Sequence, residues 1–318
     1  MSTSTPYAVR PLAEGLRFGA TVTGLTRERL HDEAVRKALF DLWIDKGVLL
    51  FRGGEDSEEM LVELSACFGS LERHPFQESW VAGKPELVNI KYYPDDGTLY
   101  EIDGEPLGAW LPWHSDLVYR KQVNRGGVLR PCQLPRKGGG MTGFIDQIAA
   151  FEALPNRLRQ RVEGLHVVYV MDINFAHARF GVRERRKLAR FAKSTAEIMD
   201  REYHHPRVLH PMVYRQETTG RPVLNVSPTF AMGVYERGGP EGEALLAEVV
   251  ECCLDTQHTY FHDWKAGDMV LWDNWRTLHC CTGVAHDDTR VMHRATIGGD
   301  YALGRNLDVV GEAPAVDV

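Results

Sequence analysis

Gly267-Asp268-Met269-Val270-Leu271-Trp272-Asp273-Asn274-Trp275-Arg276-Thr277-Leu278-His279, followed by Arg290-Val291-Met292-His293-Arg294, is the stretch whose reading decides the fold. A Gly-Asp turn opens it. The apolar run over residues 268–272 predicts a buried strand, and a polar exit leaves His279 near a strand terminus. A second strand is predicted over residues 290–297. Successive strand side chains point to opposite faces, so Arg290, Met292 and Arg294 share one face and Val291, His293 and Ala295 the other. Surface salt bridges would account for two such arginines. If their face lines an interior, two buried guanidinium groups need partners, and a bidentate carboxylate is the natural one.

Short strands are also expected at residues 48–51, 208–214 and 223–226. Between them the pattern predicts a helix over 27–46, with Val35, Leu39, Leu42 and Trp43 on one face and Gly47 as its stop. Asp56 with Glu59 reads as the capping box of a second helix carrying Met60, Leu61, Leu64 and Phe68. A helix over 146–164 is broken at Pro155, and another covers about 241–254. Residues 80–111, rich in Gly, Pro and Asp, read as a long loop, and 172–205 as a solvated surface helix or a lid. The first tail and residues 306–318 read as irregular. Many short strands with a few helices and no βαβ alternation give a mainly β fold with flanking helices, an antiparallel jelly-roll or barrel. It forms one domain over 1–318, with insertions at about 80–111 and 172–205.

Upstream lies Trp113-His114-Ser115-Asp116. Pro112 excludes a helix interior, so the expected conformation is a strand, which points His114 and Asp116 the same way. With His279 they make two imidazoles and one carboxylate, the three-ligand face of a non-haem Fe(II) oxygenase. Zinc hydrolases use the same ligand types, so the ligands alone leave the metal open.

Composition excludes several classes. The chain of 318 residues is 43% hydrophobic and 25% charged with net charge −7, unlike a basic nucleic-acid reader. No apolar run is long enough to span a bilayer, and residues 1–11 lack the apolar segment of a secretory signal. Six cysteines without a C-x-x-C pair read as reduced thiols in a cytoplasmic protein, Cys280 and Cys281 being buried strand thiols. Gly138-Gly139-Gly140 lacks the G-K-[ST] of a phosphate loop. His204, His205, His286 and His293 read as structural.

The chain resembles the taurine dioxygenase-like Fe(II)/2-oxoglutarate-dependent dioxygenases, which include the 2,4-dichlorophenoxyacetate dioxygenases. The resemblance rests on residues 19–24, Phe68-Gly69-Ser70-Leu71, Trp113-His114-Ser115-Asp116, Gly139-Gly140-Met141-Thr142, residues 149–154, Trp272-Asp273-Asn274, His279 and the stretch from Arg290 to Arg294. It implies a double-stranded β-helix core. It also implies His114, Asp116 and His279 as iron ligands, and Thr142 and Arg290 as holders of the distal carboxylate of 2-oxoglutarate. Arg294 and His74 would face the substrate acid group. Gln77 stands where the taurine enzymes have a substrate-binding tyrosine, Trp110 where they have an asparagine, and Met141 where the family has an aspartate. These departures imply a larger, more apolar organic acid than taurine. The implied reaction consumes O₂ and 2-oxoglutarate, releases succinate and CO₂, and hydroxylates the substrate, cleaving it where the carbon bears a heteroatom. Desaturation or rearrangement is the alternative outcome. Relatives are often dimers or tetramers, so a homo-oligomer is expected.

Overall fold

The computed structural model describes residues 7–200, 206–255 and 259–307. His204, His205 and the C-terminal tail from 308 onward lie outside the described residues. Among the described residues no helix is long and apolar enough to cross a membrane.

Two sheets face each other. The larger runs in the order Ala8–Pro11, Ala20–Thr23, Val48–Arg52, Met269–Asp273, Gly126–Gln133, Arg290–Ile297, Lys84–Tyr92, Trp80–Val81. The smaller runs Arg186–Arg190, Leu99–Ile102, Glu105–His114, Thr277–Ala285, Thr142–Asp146, Thr259–His262. Apart from Ala20–Thr23 beside Val48–Arg52, neighbours in both sheets are antiparallel. This is the expected jelly-roll.

Between the sheets, Phe18, Val48, Leu50, Leu129, Val270, Trp272 and Met292 meet Phe144 and Trp264. On the outer face of the larger sheet, the Glu33–Lys46 and Glu58–Ala66 helices bury Leu39, Trp43, Leu61 and Leu64 against Leu49, Leu271, Ala295 and Ile297. Val48–Arg52 and Met269–Asp273 are therefore buried on both faces, which is why they read as unbroken apolar runs. Each such Leu, fully buried, contributes about 1.5–3 kcal/mol. A third cluster joins the Gln147–Ala153, Asn156–Val162 and Pro240–Cys253 helices to a four-stranded sheet at one end.

Several local expectations are corrected. The first helix is divided: a 3₁₀ turn over Arg27–His31 ends at Asp32, whose carboxylate accepts from Ala34 N at 2.9 Å and starts Glu33–Lys46. The second helix is capped by Ser57, whose Oγ accepts from Met60 N at 3.0 Å, rather than by Asp56. Residues 208–214 form two strands, Val208–Pro211 and Val213–Arg215, and Ala8–Pro11 in the first tail is a strand. Arg305–Asn306 is a short strand as well.

The largest correction concerns 80–111, which is no loop. It holds Trp80–Val81, Lys84–Tyr92, Leu99–Ile102 and the start of Glu105–His114. The ring of Tyr92, 1% exposed, lies where a Cβ on Gly97 or Gly108 would stand, 2.2 and 2.1 Å away. These glycines mark close approach in a sheet rather than chain freedom. Residues 172–200 are neither one helix nor a detached flap. Phe175–His177 is a 3₁₀ turn, Arg186–Arg190 adds an edge strand beside Leu99–Ile102, and Lys193–Asp200 is a short helix.

Candidate active site

Three chain segments meet at one end of the space between the sheets. His114 ends its strand and lies directly across the ladder from His279, the third residue of Thr277–Ala285. Their ring centroids are 4.1 Å apart. Asp116 does not continue the strand, contrary to the expectation of a shared strand face. It sits in the turn beyond, and its carboxylate returns between the rings. His114 Nε2 is 3.7 Å from Asp116 Oδ1, and His279 Nε2 is 3.7 Å from Asp116 Oδ2. All three ligand atoms lie within 4.8 Å of one another.

The protonation states suit a cation. His114 Nδ1 donates to Pro112 O at 2.9 Å, which turns its Nε2 toward Asp116. Burial pushes His279 down to about 3, and His114 beside it acts in the same direction, so this ring is neutral. Burial works against ionisation of Asp116, but the Arg294 guanidinium together with the neighbouring His279 and His114 rings outweighs it and holds the carboxyl well below the usual carboxylate range. His279 Nδ1 is buried without a hydrogen-bond partner among the described residues. Two imidazole nitrogens and one anionic oxygen fit a divalent ion. With bonds of about 2.1 Å, ligand atoms at a right angle stand about 3 Å apart, so the 3.7 Å spacings need only slight closing.

Arg290 occupies the neighbouring interior. It is 3% exposed, and its Nε has no hydrogen-bond partner among the described residues. Gly140 makes room for it: a Cβ there would stand 2.8 Å from both Cδ and Nε of Arg290, and the backbone has φ +65°. Gly140 N donates to Gly283 O at 2.7 Å, tying this turn to the His279 strand. Two residues on, buried Thr142 pairs with Cys281 in the same strand, and its Oγ1 accepts from Trp264 Nε1 at 3.0 Å. That bond leaves the hydroxyl proton free to donate.

Arg294, 7% exposed, donates from Nη1 to Asp116 Oδ2 at 2.8 Å. His74 lies close enough to feel both charges. Burial pushes it down to about 4, with Arg294 acting in the same direction. Its Nδ1 accepts from Phe76 N at 3.3 Å, which assigns the remaining proton to Nε2. Gln77 and Trp110 are placed otherwise. Gln77 is exposed in the Gln77–Ser79 turn. Trp110 packs edge-on against Tyr100 at 5.3 Å, under the Arg186 guanidinium at 5.4 Å. Neither hydrogen-bonds to or ring-stacks with the His–Asp–His group among the described residues.

Two contributors carried no sequence signal of their role. Trp264 orients Thr142 from a distant segment, and Asn274 holds the backbone of Asp116 on both sides. Asn274 stands in a noticed motif, but nothing in one sequence says which turn its amide will meet. His293 and Cys280/Cys281 behave as expected: the histidine pairs with Glu58 at 2.9 Å, and both thiols are buried.

A family model described as Taurine catabolism dioxygenase TauD, TfdA family matches residues 8–296. The chain is 29% identical over 299 residues to the (S)-phenoxypropionate/alpha-ketoglutarate-dioxygenase of Sphingobium herbicidovorans, covering 94% of this chain and 97% of that one. It is 30% identical over 266 residues to the alpha-ketoglutarate-dependent 2,4-dichlorophenoxyacetate dioxygenase of Burkholderia sp. (strain RASC), covering 80% and 82%. Among solved structures, a taurine dioxygenase from Burkholderia xenovorans superposes with TM-score 0.70 at 25% identity, covering 93% of this chain and 90% of that chain.

Proposed function

The chain belongs to this dioxygenase family, and from that premise we propose that His114, Asp116 and His279 hold Fe(II) while Arg290 and Thr142 receive 2-oxoglutarate. The enzyme is an alpha-ketoglutarate-dependent dioxygenase acting on a small anionic organic substrate. The single observation that carries the site assignment is the convergence of two imidazoles and one ionised carboxylate from two distant segments beside a buried arginine.

Bound Fe(II) supplies the coupling of O₂ reduction to decarboxylation of 2-oxoglutarate and oxidation of a substrate C–H bond. The chain does the rest. The Nε2 atoms of His114 and His279 and one Asp116 oxygen would hold the ion. Arg290 takes the far carboxylate of 2-oxoglutarate as a charge-assisted pair, and the Thr142 hydroxyl donates to it. The surrounding barrel wall of Trp272, Phe144 and Met292 keeps water from this end. On the other side, Arg294 and the Nε2–H of His74 receive the substrate acid group.

The two curated relatives above act, by name, on aryloxy acids. An organic acid with an apolar body is accordingly the substrate class we assign, with hydroxylation beside a heteroatom and cleavage as the outcome. The six unpaired cysteines support a cytoplasmic location.

Anaerobic titration tests the site. Fe(II) with 2-oxoglutarate should give a visible charge-transfer band that His279→Ala abolishes. A wild-type protein that takes up zinc but forms no such band would replace this reading with a zinc-dependent, non-redox enzyme on the same barrel. Succinate release across aryloxy acids, sulfonates and sulfate esters then identifies the substrate.

A further inference from the structure

The ligand Asp116 lies where the sheet has stopped supporting the chain. His114 is the last ladder residue, and the chain runs on into a turn over residues 116–119, where Arg120 N donates to Leu117 O at 2.8 Å. Leu117, 6% exposed, sits at φ +56°, a conformation that leucine avoids unless its surroundings impose it. The Asp116 carboxylate is met by Arg294 at 2.8 Å, but something other than strand pairing must hold the backbone that carries it.

The side chain of Asn274 does so. Its Oδ1 accepts from Asp116 N at 2.8 Å and its Nδ2 donates to Asp116 O at 3.0 Å, so one amide grips both backbone groups of the ligand residue. It replaces the missing strand neighbour. Asn274 is itself 2% exposed and firmly mounted. Its Nδ2 also reaches Asn124 O and Oδ1, each at 3.1 Å, and its N–H donates to Arg125 O at 3.0 Å. Asn124 is anchored in turn, its Nδ2 donating to Gly126 O at 3.0 Å. Ser227 supports the neighbouring residue only, its Oγ accepting from Ser115 N at 3.1 Å. Asn274 also stands in the turn that leads into the His279 strand. The residue that holds one ligand is thus continuous with the segment that supplies another.

We propose that Asn274 is the positioning residue that sets Asp116 against His114 and His279, and so determines how tightly the site holds its metal ion. The role needs an acceptor and a donor on one short planar group. Aspartate lacks the donor and would add a second buried anion beside Asp116, and alanine lacks both groups. The proposal rests on the metal-site reading above and is tested separately from it.

The test is calorimetric titration of chelator-stripped protein with Co(II), together with the rate of Co(II) release into excess chelator. Wild type should bind one ion, and His279→Ala none. Asn274→Ala should bind roughly 10- to 100-fold more weakly, with correspondingly faster release. Val249→Ala, a cavity variant in the core face of the Pro240–Cys253 helix, supplies a destabilised control that should keep wild-type affinity. If Asn274→Ala does not fold, Asn124→Ala removes one anchor of the Asn274 amide while leaving its bonds to Asp116, and should weaken Co(II) binding about 3- to 10-fold. Wild-type affinity in the folded Asn274 variant, or in Asn124→Ala where that substitutes, overturns the proposal. So does an equal loss in Val249→Ala. Failure of wild type to bind Co(II) overturns the metal-site reading itself, and this inference with it.

Discussion

Arg294 closes a 2.8 Å ion pair on Asp116, so a guanidinium and a metal ion would act on the same buried carboxylate. Removing one member of a buried pair leaves the other uncompensated, at about 3–5 kcal/mol. A divalent ion would supply the missing positive charge. Arg294→Gln should therefore destabilise the metal-free protein more than the metal-loaded one, measured by denaturant unfolding with and without Mn(II). The same substitution should raise KM for the primary acid substrate roughly 10- to 100-fold and leave KM for 2-oxoglutarate within about threefold. A shift confined to 2-oxoglutarate would reassign this arginine.

Arg290 presents the opposite balance. It is buried, and its Nε is left without a hydrogen-bond partner among the described residues. Such an arrangement lowers stability in the empty protein and is kept for what it binds. Arg290→Met should hold or raise the melting temperature of the unliganded protein while raising KM for 2-oxoglutarate at least 10-fold. N-oxalylglycine with Mn(II) should stabilise wild type against heat but not this variant. Equal stabilisation of both would place the keto acid elsewhere.

Gly140 offers a second approach to the same contact without touching a charge. An alanine Cβ there would press on Arg290 Cδ and Nε at 2.8 Å and on Val284 Cγ1 at 2.9 Å, with a backbone φ of +65° that alanine resists. Gly140→Ala should weaken 2-oxoglutarate and cost about 1–2 kcal/mol of stability. KM for 2-oxoglutarate should rise while metal affinity measured by calorimetry stays unchanged. A change in metal affinity would mean that the turn supports the ligands instead.

How much of this was legible in the chain depends on what each residue's neighbours do. Val48–Arg52 and Met269–Asp273 were readable because burial on both faces leaves an apolar run with little competing interpretation. Lys84–Tyr92 and Glu105–His114 were not, since the glycines around and within them, Gly83, Gly97, Gly104 and Gly108, look like loop punctuation until the Tyr92 ring is seen against Gly108. His114, Asp116 and His279 could be named from residue type and order. Their mutual position could not, because H-x-D spacing suits a strand and a turn alike. Trp110 was readable as a departure from the family pattern, but its packing on Tyr100 and Arg186 depends on an edge strand at residues 186–190, within a segment whose polarity reads as a solvated helix or a lid.

Asp268 connects the fold to pH. Burial raises its carboxyl, but hydrogen bonds from Arg52 and the Lys265 N–H, with His262 Nε2 beside it, overcome this and bring it down to about 2. Arg52 donates from Nε and Nη2 at 2.7 Å each, and His262 Nε2 stands 3.1 Å away. A folded-state value below the unfolded one means that the folded protein favours the ionised form. The resulting stability, roughly 2 kcal/mol, is fully present above the ordinary carboxylate value and is lost as pH falls from about 4 toward 2. Asp268→Asn should remove that contribution at neutral pH and flatten the acid limb of the stability curve between those values. Urea unfolding of both proteins across pH 2–6 measures it. Parallel curves with an undiminished gap at the acid end would show that the pair contributes through packing and not through charge.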